Sequence, residues 1–141
     1  MSTHHMSLTG FAAHLAHTAL HMRVHGRHAL LEAGEIVRQE VFDAHGSYRY
    51  NWPALAPATV ARKRTGDSPL LETGAKRASY GVNLVDDHTV EVGSNDPKAT
   101  WHELGTSRVP PRPVLLPAIH AKEKEVAKHI GDGFLRTLVT P

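Results

Sequence analysis

The chain has 141 residues, enough for one domain whose hydrophobic core needs neither disulfides nor metals. It contains no cysteine, which excludes disulfides, thiol catalysis and cysteine-based zinc sites. Its formal charge of +2 and pI near 9.1 permit contact with nucleic acid without requiring it. The first ten residues do not have the pattern of a secretory signal, and no apolar run reaches the roughly 20 residues of a membrane span.

A long amphipathic helix is predicted from about Ser7 to about Ala44. Apolar residues recur there at steps of three and four and form one stripe. They are Leu8, Phe11, Leu15, Ala19, Met22, Ala29, Ala33, Ile36, Val37 and Val41. Ser7 or Thr9 can cap the start, and His45-Gly46 supplies the stop. Because this helix is longer than one small domain can cover, we expect either a break near Gly26 or contact of part of the stripe with another subunit.

Histidines form a second stripe on the same helix. They are His14, His17, His21, His25 and His28, spaced 3, 4, 4 and 3 residues apart. Histidines at i and i+4, as in His17, His21 and His25, can ligate a divalent metal. No carboxylate is interleaved with them, however. We therefore interpret the stripe first as a solvated or interfacial face that gains charge at about pH 6, and only second as a metal site.

The middle of the chain is predicted to contain short elements. An extended segment at 48–52 ends at Trp52-Pro53, and a short helix follows from Pro57 through Arg64. A turn at 71–74 then leads into two strands of alternating apolar residues. The strands are carried by Tyr80, Val82 and Leu84 and by Val90 and Val92, and they are joined by a hairpin turn at Asp86-Asp87.

The C-terminal part is predicted to be helical on both sides of a proline-rich corner. A short helix spans 98–104, and prolines hold 109–113 extended. A final amphipathic helix begins at about Pro117 and ends or frays at Gly131 and Gly133.

The order of these elements indicates an α+β fold. A long N-terminal amphipathic helix packs on a small antiparallel β-sheet, and a C-terminal helix closes the structure. There is no internal repeat and no low-complexity linker. Residues 1–141 are therefore expected to form one domain with flexible ends at 1–7 and 136–141.

The densest basic cluster lies between the predicted short helix and the first strand. It consists of Arg62, Lys63, Arg64, Lys76 and Arg77. The plainer interpretation of this cluster is a solvated face. The alternative is a surface that faces passing DNA and contacts phosphates, without the base-reading motifs of a specific binder.

No known catalytic motif is complete in this sequence. His102-Glu103 begins like a zinc-protease motif, but the position of the second histidine ligand is occupied by Thr106. The phosphate-binding and nucleophile-elbow motifs are also absent. We expect neither enzymatic activity nor a cofactor.

Three blocks follow one another from residue 52 onward. They are WPALAPATVARKR at 52–64, PLLETGAKRASYGV at 69–82 and VEVGSNDPKATWHELGTSRVPPRPVLLPAI at 90–119. In this order they resemble the tailed-phage virion morphogenesis family, the tail-completion or neck proteins of Mu-like and related phages. The resemblance covers roughly half of the chain.

Particular residues carry this resemblance. They are Trp52, Leu55 and Thr59; Leu70, Thr73 and Gly74; Val92 and Gly93; His102, Glu103, Gly105 and Thr106; and Arg112, Pro113 and Leu115. The chain departs from the family pattern at three places. Thr100-Trp101 stands where an aromatic-alanine pair is usual, Val114 replaces a phenylalanine, and Ala75-Lys76 replaces a Gly-x-Leu start.

The resemblance implies a structural virion protein that acts in head–tail joining or tail completion, as a subunit of a neck or tail-end ring. Its partners would be about five or more further copies of itself, together with head-closure or adaptor proteins and tail-terminator or tail-tube proteins. It would lie in the virion neck or tail after assembly in the host cytoplasm, without membrane contact. Arg112, held by Pro111 and Pro113, would pair with a carboxylate such as Glu103 in its own or the next subunit.

Two other functions stay open at this point. A small basic nucleic-acid-binding module would use the basic cluster and show salt-sensitive affinity for DNA. A metal-binding protein, the less favoured alternative, would use the histidine stripe.

Overall fold

The computed structural model describes residues 7–139 and confirms the α+β architecture. Its elements are α1 (Leu8–Ala44), α2 (Pro57–Arg62), α3 (Ala75–Ala78), β1 (Tyr80–Asp86), β2 (Thr89–Ser94), α4 (Pro97–Leu104) and α5 (Leu115–Val139). Of the ends predicted to be flexible, Ser7 caps α1 and 136–139 belong to α5, while 1–6 and 140–141 lie outside the described residues.

Helix α1 is continuous. The Ser7 hydroxyl accepts a hydrogen bond from the Gly10 amide at 3.0 Å and so caps its start, as predicted. The predicted alternative of a break near Gly26 is wrong. A side chain at position 26 would come within 2.9 Å of the Phe134 ring, so this glycine provides room for an aromatic ring of α5 rather than a bend.

Helix α5 runs antiparallel to α1 along much of its length. Lys122 lies 3.8 Å from Glu40, and His129 contacts Glu32 at 2.7 Å. The prediction that Gly131 and Gly133 end or fray this helix is wrong, because it continues to Val139. A Cβ atom at position 133 would lie 2.6 Å from the Ala29 Cβ, so Gly133 allows the two helices to approach closely.

Strands β1 and β2 form an antiparallel hairpin that packs on α1. Val82 pairs with Val92, and Leu84 pairs with Val90. The turn falls at Asp87-His88, one residue later than predicted, since Asp86 still belongs to β1. Gly34 of α1 lies under the hairpin, where a Cβ atom would come within 2.5 Å of the Val82 side chain.

The hairpin turn is tied to the middle of α1 by ion pairs. The Asp87 carboxylate lies 2.6 Å from both the Arg23 and the Arg27 guanidinium groups. The hydrogen bond from Arg27 and the charge of Arg23 outweigh the opposing effect of burial and lower the pKa of Asp87. These contacts fix the place where the N-terminal part of α1 leaves the body of the domain.

The hydrophobic core lies at the C-terminal end of α1. Its buried members are Val37, Val41, Ala44, Trp52, Tyr80, Ala99, Val114 and Ala118. They come from α1, β1, α4 and the start of α5, and from the segments around Trp52 and Val114. The proline-rich corner is therefore part of the core and not an appendage. Among the described residues, no helix is long and apolar enough to cross a membrane.

Candidate functional site

The first and third sequence blocks meet at the proline corner, defined here as Gly105 to Val114. The buried Trp52 indole donates a hydrogen bond from Nε1 to the Pro113 carbonyl at 2.9 Å. Arg112 donates from Nη2 to the carbonyl oxygens of Pro53 and Ala54 at 3.1 and 3.5 Å. Segments about 60 residues apart are thus joined through side chains that the sequence had singled out.

Glu103 stabilises the start of α5. Its Oε1 accepts hydrogen bonds from the amides of Val114 and Leu115 at 2.6 and 2.5 Å. A carboxylate at this place satisfies free N–H groups and interacts favourably with the helix dipole. The predicted pair between Arg112 and Glu103 is not formed within the chain, because each side chain is bonded to backbone groups instead.

The other residues of the resemblance lie at turns or beside them. Gly74 precedes α3 with φ of +82°, and the Thr73 hydroxyl accepts from the Ala75 amide at 3.3 Å. Gly105 ends α4 with φ of +76°, and any Cβ there would lie 3.0 Å from Pro111. The Leu55 amide donates to the Tyr48 hydroxyl at 3.2 Å. These residues shape the local turns in which they lie.

The predicted basic cluster does not form one surface. Lys76 is buried in α3, and burial lowers its pKa to about 8, so it cannot face DNA. Lys63 is largely buried and donates from Nζ to the carbonyls of Ser68 and Leu71 at 2.6 and 2.7 Å. Lys76 therefore lies in the interior, and the Lys63 ammonium is occupied by backbone carbonyl groups, so neither is available to contact DNA.

The three arginines of the cluster are also separated in role. The Arg77 guanidinium lies over the Phe42 ring at 4.1 Å from its centroid, a cation–π contact. Arg62 and Arg64 are exposed. Only these two of the five residues keep the environment that a DNA-facing surface requires.

A group of buried polar side chains surrounds the corner, and the sequence did not reveal it. Among the described residues, the following atoms are buried without a hydrogen-bond partner: His45 Nε2, Lys76 Nζ, Arg77 Nε, Tyr80 Oη, His102 Nδ1 and Arg112 Nε. Such atoms are unusual because a buried polar group without a partner is destabilising. His45 had been interpreted only as a helix stop, and no periodic signal marks its burial.

Burial changes the proton affinity of this group. It lowers the pKa of His45 and of His102 to about 4, and the positive charge of Lys76 acts in the same direction on both. The pKa of Tyr80 is raised, mainly by burial and further by the carboxylate of Glu103. At neutral pH the two histidines are uncharged, and the positive charge nearby belongs to Lys76 and Arg112.

The second feature is the outer half of α1, defined here as Leu8–His25. Every residue from Leu8 to His17 is exposed except Gly10, which is half-buried. The exposed fractions of Leu8, Phe11 and Leu15 are 84%, 49% and 51%. The apolar stripe predicted from the sequence is therefore present, but α5 and the sheet do not cover it here.

The face to which this stripe belongs can be followed along the helix. Phe11 and Ala29 are 18 residues apart, as are Leu15 and Ala33. This spacing is about five full turns, so each pair points in one direction. Ala29 and Ala33 are buried, and the Cβ of Ala29 lies against Gly133 of α5. The face of α1 that α5 covers at Ala29 is therefore exposed from Leu15 back to Leu8.

The histidine stripe is also exposed. The rings of His17 and His21 lie 4.2 Å apart between centroids, and those of His21 and His25 lie 5.8 Å apart. A search of residues 7–139 finds no group of three or more histidine, aspartate or glutamate side chains that could hold a metal. The stripe is a polar face beside the uncovered apolar one.

Comparison with known proteins adds no relative to these observations. No protein-family model, no curated protein and no solved structure matches the chain.

Proposed function

We propose that this protein is a non-enzymatic assembly subunit that packs against copies of itself through the outer half of α1. In line with the sequence resemblance, it serves in head–tail joining or tail completion of a tailed phage or a phage-derived particle, as a subunit of a neck or tail-end ring. The observation that carries the proposal is the uncovered apolar face of Leu8, Phe11 and Leu15.

An uncovered helix of this kind gains stability from a partner. The outer half extends from the packed inner half of α1, and most helical stability in proteins comes from packing of an amphipathic face. Full burial of one leucine or phenylalanine side chain contributes about 1.5–3 kcal/mol. Three such side chains on one face therefore provide a substantial driving force for association.

Charge favours a second copy as the partner. The segment from Leu8 to Met22 contains no Asp, Glu, Lys or Arg. Two such segments can approach without repulsion between fixed charges when their histidines are neutral. A closed ring forms when one edge of this face packs against the opposite edge of the face in the next copy, and this head-to-tail contact repeats around a symmetry axis.

The virion role is supported by the order of the sequence blocks and by their meeting at one corner. Trp52 of the first block bonds to Pro113 of the third, and Glu103 caps α5 within the third. Trp52, Glu103 and Pro113 thus belong to one structural unit, as expected of a scaffold. The separation of the basic cluster favours this function over a nucleic-acid-binding module.

The test is the mass of the protein in solution, measured by light scattering across concentration with and without added DNA. We expect a closed species of about six or more subunits that is indifferent to DNA. The double variant Phe11→Gln/Leu15→Gln should shift this species to the monomer. Leu104→Gln, at an exposed apolar position of α4, should leave it unchanged.

Two results would contradict the proposal. A chain that stays monomeric at all concentrations would overturn self-assembly through α1. A mass that changes only with DNA would replace the proposal by a nucleic-acid-binding function. The virion role itself is tested by co-purification with head-closure and tail-terminator proteins of a tailed phage.

A further inference from the structure

A cleft of about 500 Å³ opens beside the proline corner. It lies between α2, the turn at 70–72 and the segment from Arg108 to Arg112. Its apolar walls include Leu55, Leu70 and Val109. This volume lies within the range of protein sites that hold small ligands or side chains.

The charged groups of the cleft are mostly cationic. Lys63, Arg108 and Arg112 line it, and Glu72 is the one carboxylate among its lining residues. Glu72 lies 3.9 Å from the Lys63 ammonium, so these two charges largely offset each other. His102 also lines the cleft and is uncharged at neutral pH, since burial lowers its pKa to about 4. The remaining positive charge belongs to the two arginines.

Arg112 is buried without a counter-ion. It is 8% exposed, and within the described part of the chain its guanidinium donates only to the carbonyl oxygens of Pro53 and Ala54. Its Nε is buried and has no hydrogen-bond partner among residues 7–139. A buried cation is costly unless it is paired with an anion. Glu103 does not pair with it, because that carboxylate caps α5.

Arg108 lies across the cleft mouth with its charge free. Its backbone amide donates to the Thr106 hydroxyl at 3.2 Å, but its exposed side chain has no partner among the described residues. Two guanidinium groups, one buried and one exposed, therefore flank an apolar recess.

We propose that this cleft binds a carboxylate, presented by an acidic side chain on a peptide segment whose neighbouring residues are apolar. The planar guanidinium matches a carboxylate with two parallel hydrogen bonds. The apolar walls fit the neighbouring side chains of such a segment. Nucleic acid is disfavoured, because none of the lining residues is a Phe, Tyr or Trp that could stack on a base. The inference rests on the cleft alone and holds whether or not the protein assembles in a virion.

The experiment is an NMR titration of the full-length protein that follows the Nε–H signal of Arg112. The probe is the peptide acetyl-Leu-Glu-Leu-amide, and its matched control is acetyl-Leu-Gln-Leu-amide. We expect the glutamate peptide to shift the Arg112 signal in a saturable manner and the glutamine peptide to leave it in place. Inorganic phosphate and a short single-stranded DNA are titrated in parallel, and we expect smaller responses to both.

Variants of the cleft sharpen the test. Arg108→Gln removes a charge that makes no contact among the described residues. It should lower the affinity for the glutamate peptide about threefold. Glu72→Gln removes the competing carboxylate and should tighten binding by about the same factor. Arg112→Lys keeps the charge but loses the planar fork, so we expect its affinity for the glutamate peptide to fall about tenfold or more. Because this variant has no Arg112 Nε–H signal, its binding is followed through the backbone amide signals of the residues that line the cleft. Lys124→Gln, on the exposed side of α5, should change nothing.

Several results would overturn the inference. It fails if the glutamate peptide causes no saturable shift, or if both peptides shift the Arg112 signal equally. It also fails if Arg108→Gln and Glu72→Gln bind like the wild type. A stronger response to phosphate or DNA than to the glutamate peptide would reassign the cleft to phosphate groups. Arg112→Lys is interpreted only with its circular dichroism matched to the wild type, whereas Arg108→Gln leaves the fold contacts intact.

Discussion

The two halves of α1 carry one continuous apolar stripe, yet they have opposite environments. The inner half, defined here as Gly26–Ala44, holds all the buried residues of the helix. The outer half keeps Leu8, Phe11 and Leu15 about half exposed or more. Both halves follow the same period in the sequence, so periodicity alone does not show which part of a stripe the chain covers itself.

At positions 18 residues apart on the shared face, the inner and outer halves do differ in residue size. Gly26, Ala29 and Ala33 lie where α5 packs closely, and Gly34 lies where the hairpin does. Eighteen residues before Gly26, Ala29 and Ala33, the same face carries Leu8, Phe11 and Leu15. Small residues allow α5 and the hairpin of the same chain to approach α1 closely. Large exposed residues suit a surface that another molecule covers. The following changes test this contrast.

Acidification should give the largest effect on stability. His45 is buried and His102 is partly buried in the body of the domain, whereas the histidines of the outer half of α1 are exposed. The pKa values of His45 and His102 lie at about 4 in the folded state, below the ordinary 6.5. The unfolded chain therefore binds more protons between these values, and stability is lost as the pH falls from 6.5 toward 4. At about 1.4 kcal/mol per pKa unit, reduced for solvent screening, we expect a loss of roughly 3 kcal/mol.

The measurement is urea unfolding at a series of pH values, with the protein dilute enough to be monomeric. His102→Gln should remove about half of the pH-dependent loss. His21→Gln, in the exposed stripe, is the matched control and should leave the loss unchanged. Equal effects of the two variants would contradict the difference in burial.

Truncation of one apolar side chain in each half is the next test. Val41 is fully buried, so Val41→Ala should lower the free energy of unfolding by about 2.5 kcal/mol. Leu15→Ala should change the stability of the monomer by less than about 0.5 kcal/mol while reducing self-association. Chemical unfolding and light scattering measure the two quantities separately. A large loss of monomer stability in Leu15→Ala would show that the outer half is packed within the chain.

Two glycine substitutions test the close approach in the inner half. A Cβ at position 34 would come within 2.5 Å of Val82 and 3.0 Å of Val90, so Gly34→Ala should destabilise the protein by about 2 kcal/mol. A Cβ at Gly131 of α5 meets nothing within 4 Å, so Gly131→Ala should stabilise it by up to about 1 kcal/mol. Thermal unfolding of both variants gives the change in melting temperature for each. A change of the same sign in both would contradict the close packing of Gly34 against the hairpin.

The smallest effect is expected at the helix starts. Ser7→Ala removes the cap of the exposed outer half and should cost about 0.5–1 kcal/mol of local helix stability, without lowering the global free energy of unfolding. Glu103→Gln weakens the cap of α5 inside the core and should lower global stability by about 1 kcal/mol. Hydrogen exchange at Gly10 and Phe11 measures the first change, and urea unfolding the second. Loss of global stability in Ser7→Ala would argue against an independent outer half.

Much of the fold was predictable, because long periodic segments carry strong signals. The extent of α1, its serine cap, the alternating strands and the short helix before Gly105 all follow from local patterns. The short helix α3 was missed, and α5 was expected to end too early. The reason in α5 is that Gly133 looks like a helix stop in sequence, whereas in the fold it makes room for Ala29.

The site was less predictable than the fold. Trp52, Glu103 and Arg112 do lie at the corner, but their contacts could not be derived from the sequence. Arg112 and Glu103 form hydrogen bonds with backbone groups rather than with each other. Lys76 follows a Thr-Gly turn within a basic stretch, which is typical of a solvated residue. Its burial is decided by packing between distant segments. No local pattern records such packing.

The unbroken course of α1 sets the rotational phase of its exposed face. The inner half is held by α5 and the hairpin, and Asp87 fastens the helix at Arg23 and Arg27. One residue added to the outer half would turn everything beyond it by about 100° while leaving the core untouched. Seven added residues would bring the face back to within about 20° of its original direction. The number of residues in the outer half of α1 therefore sets the angle at which neighbouring molecules would meet.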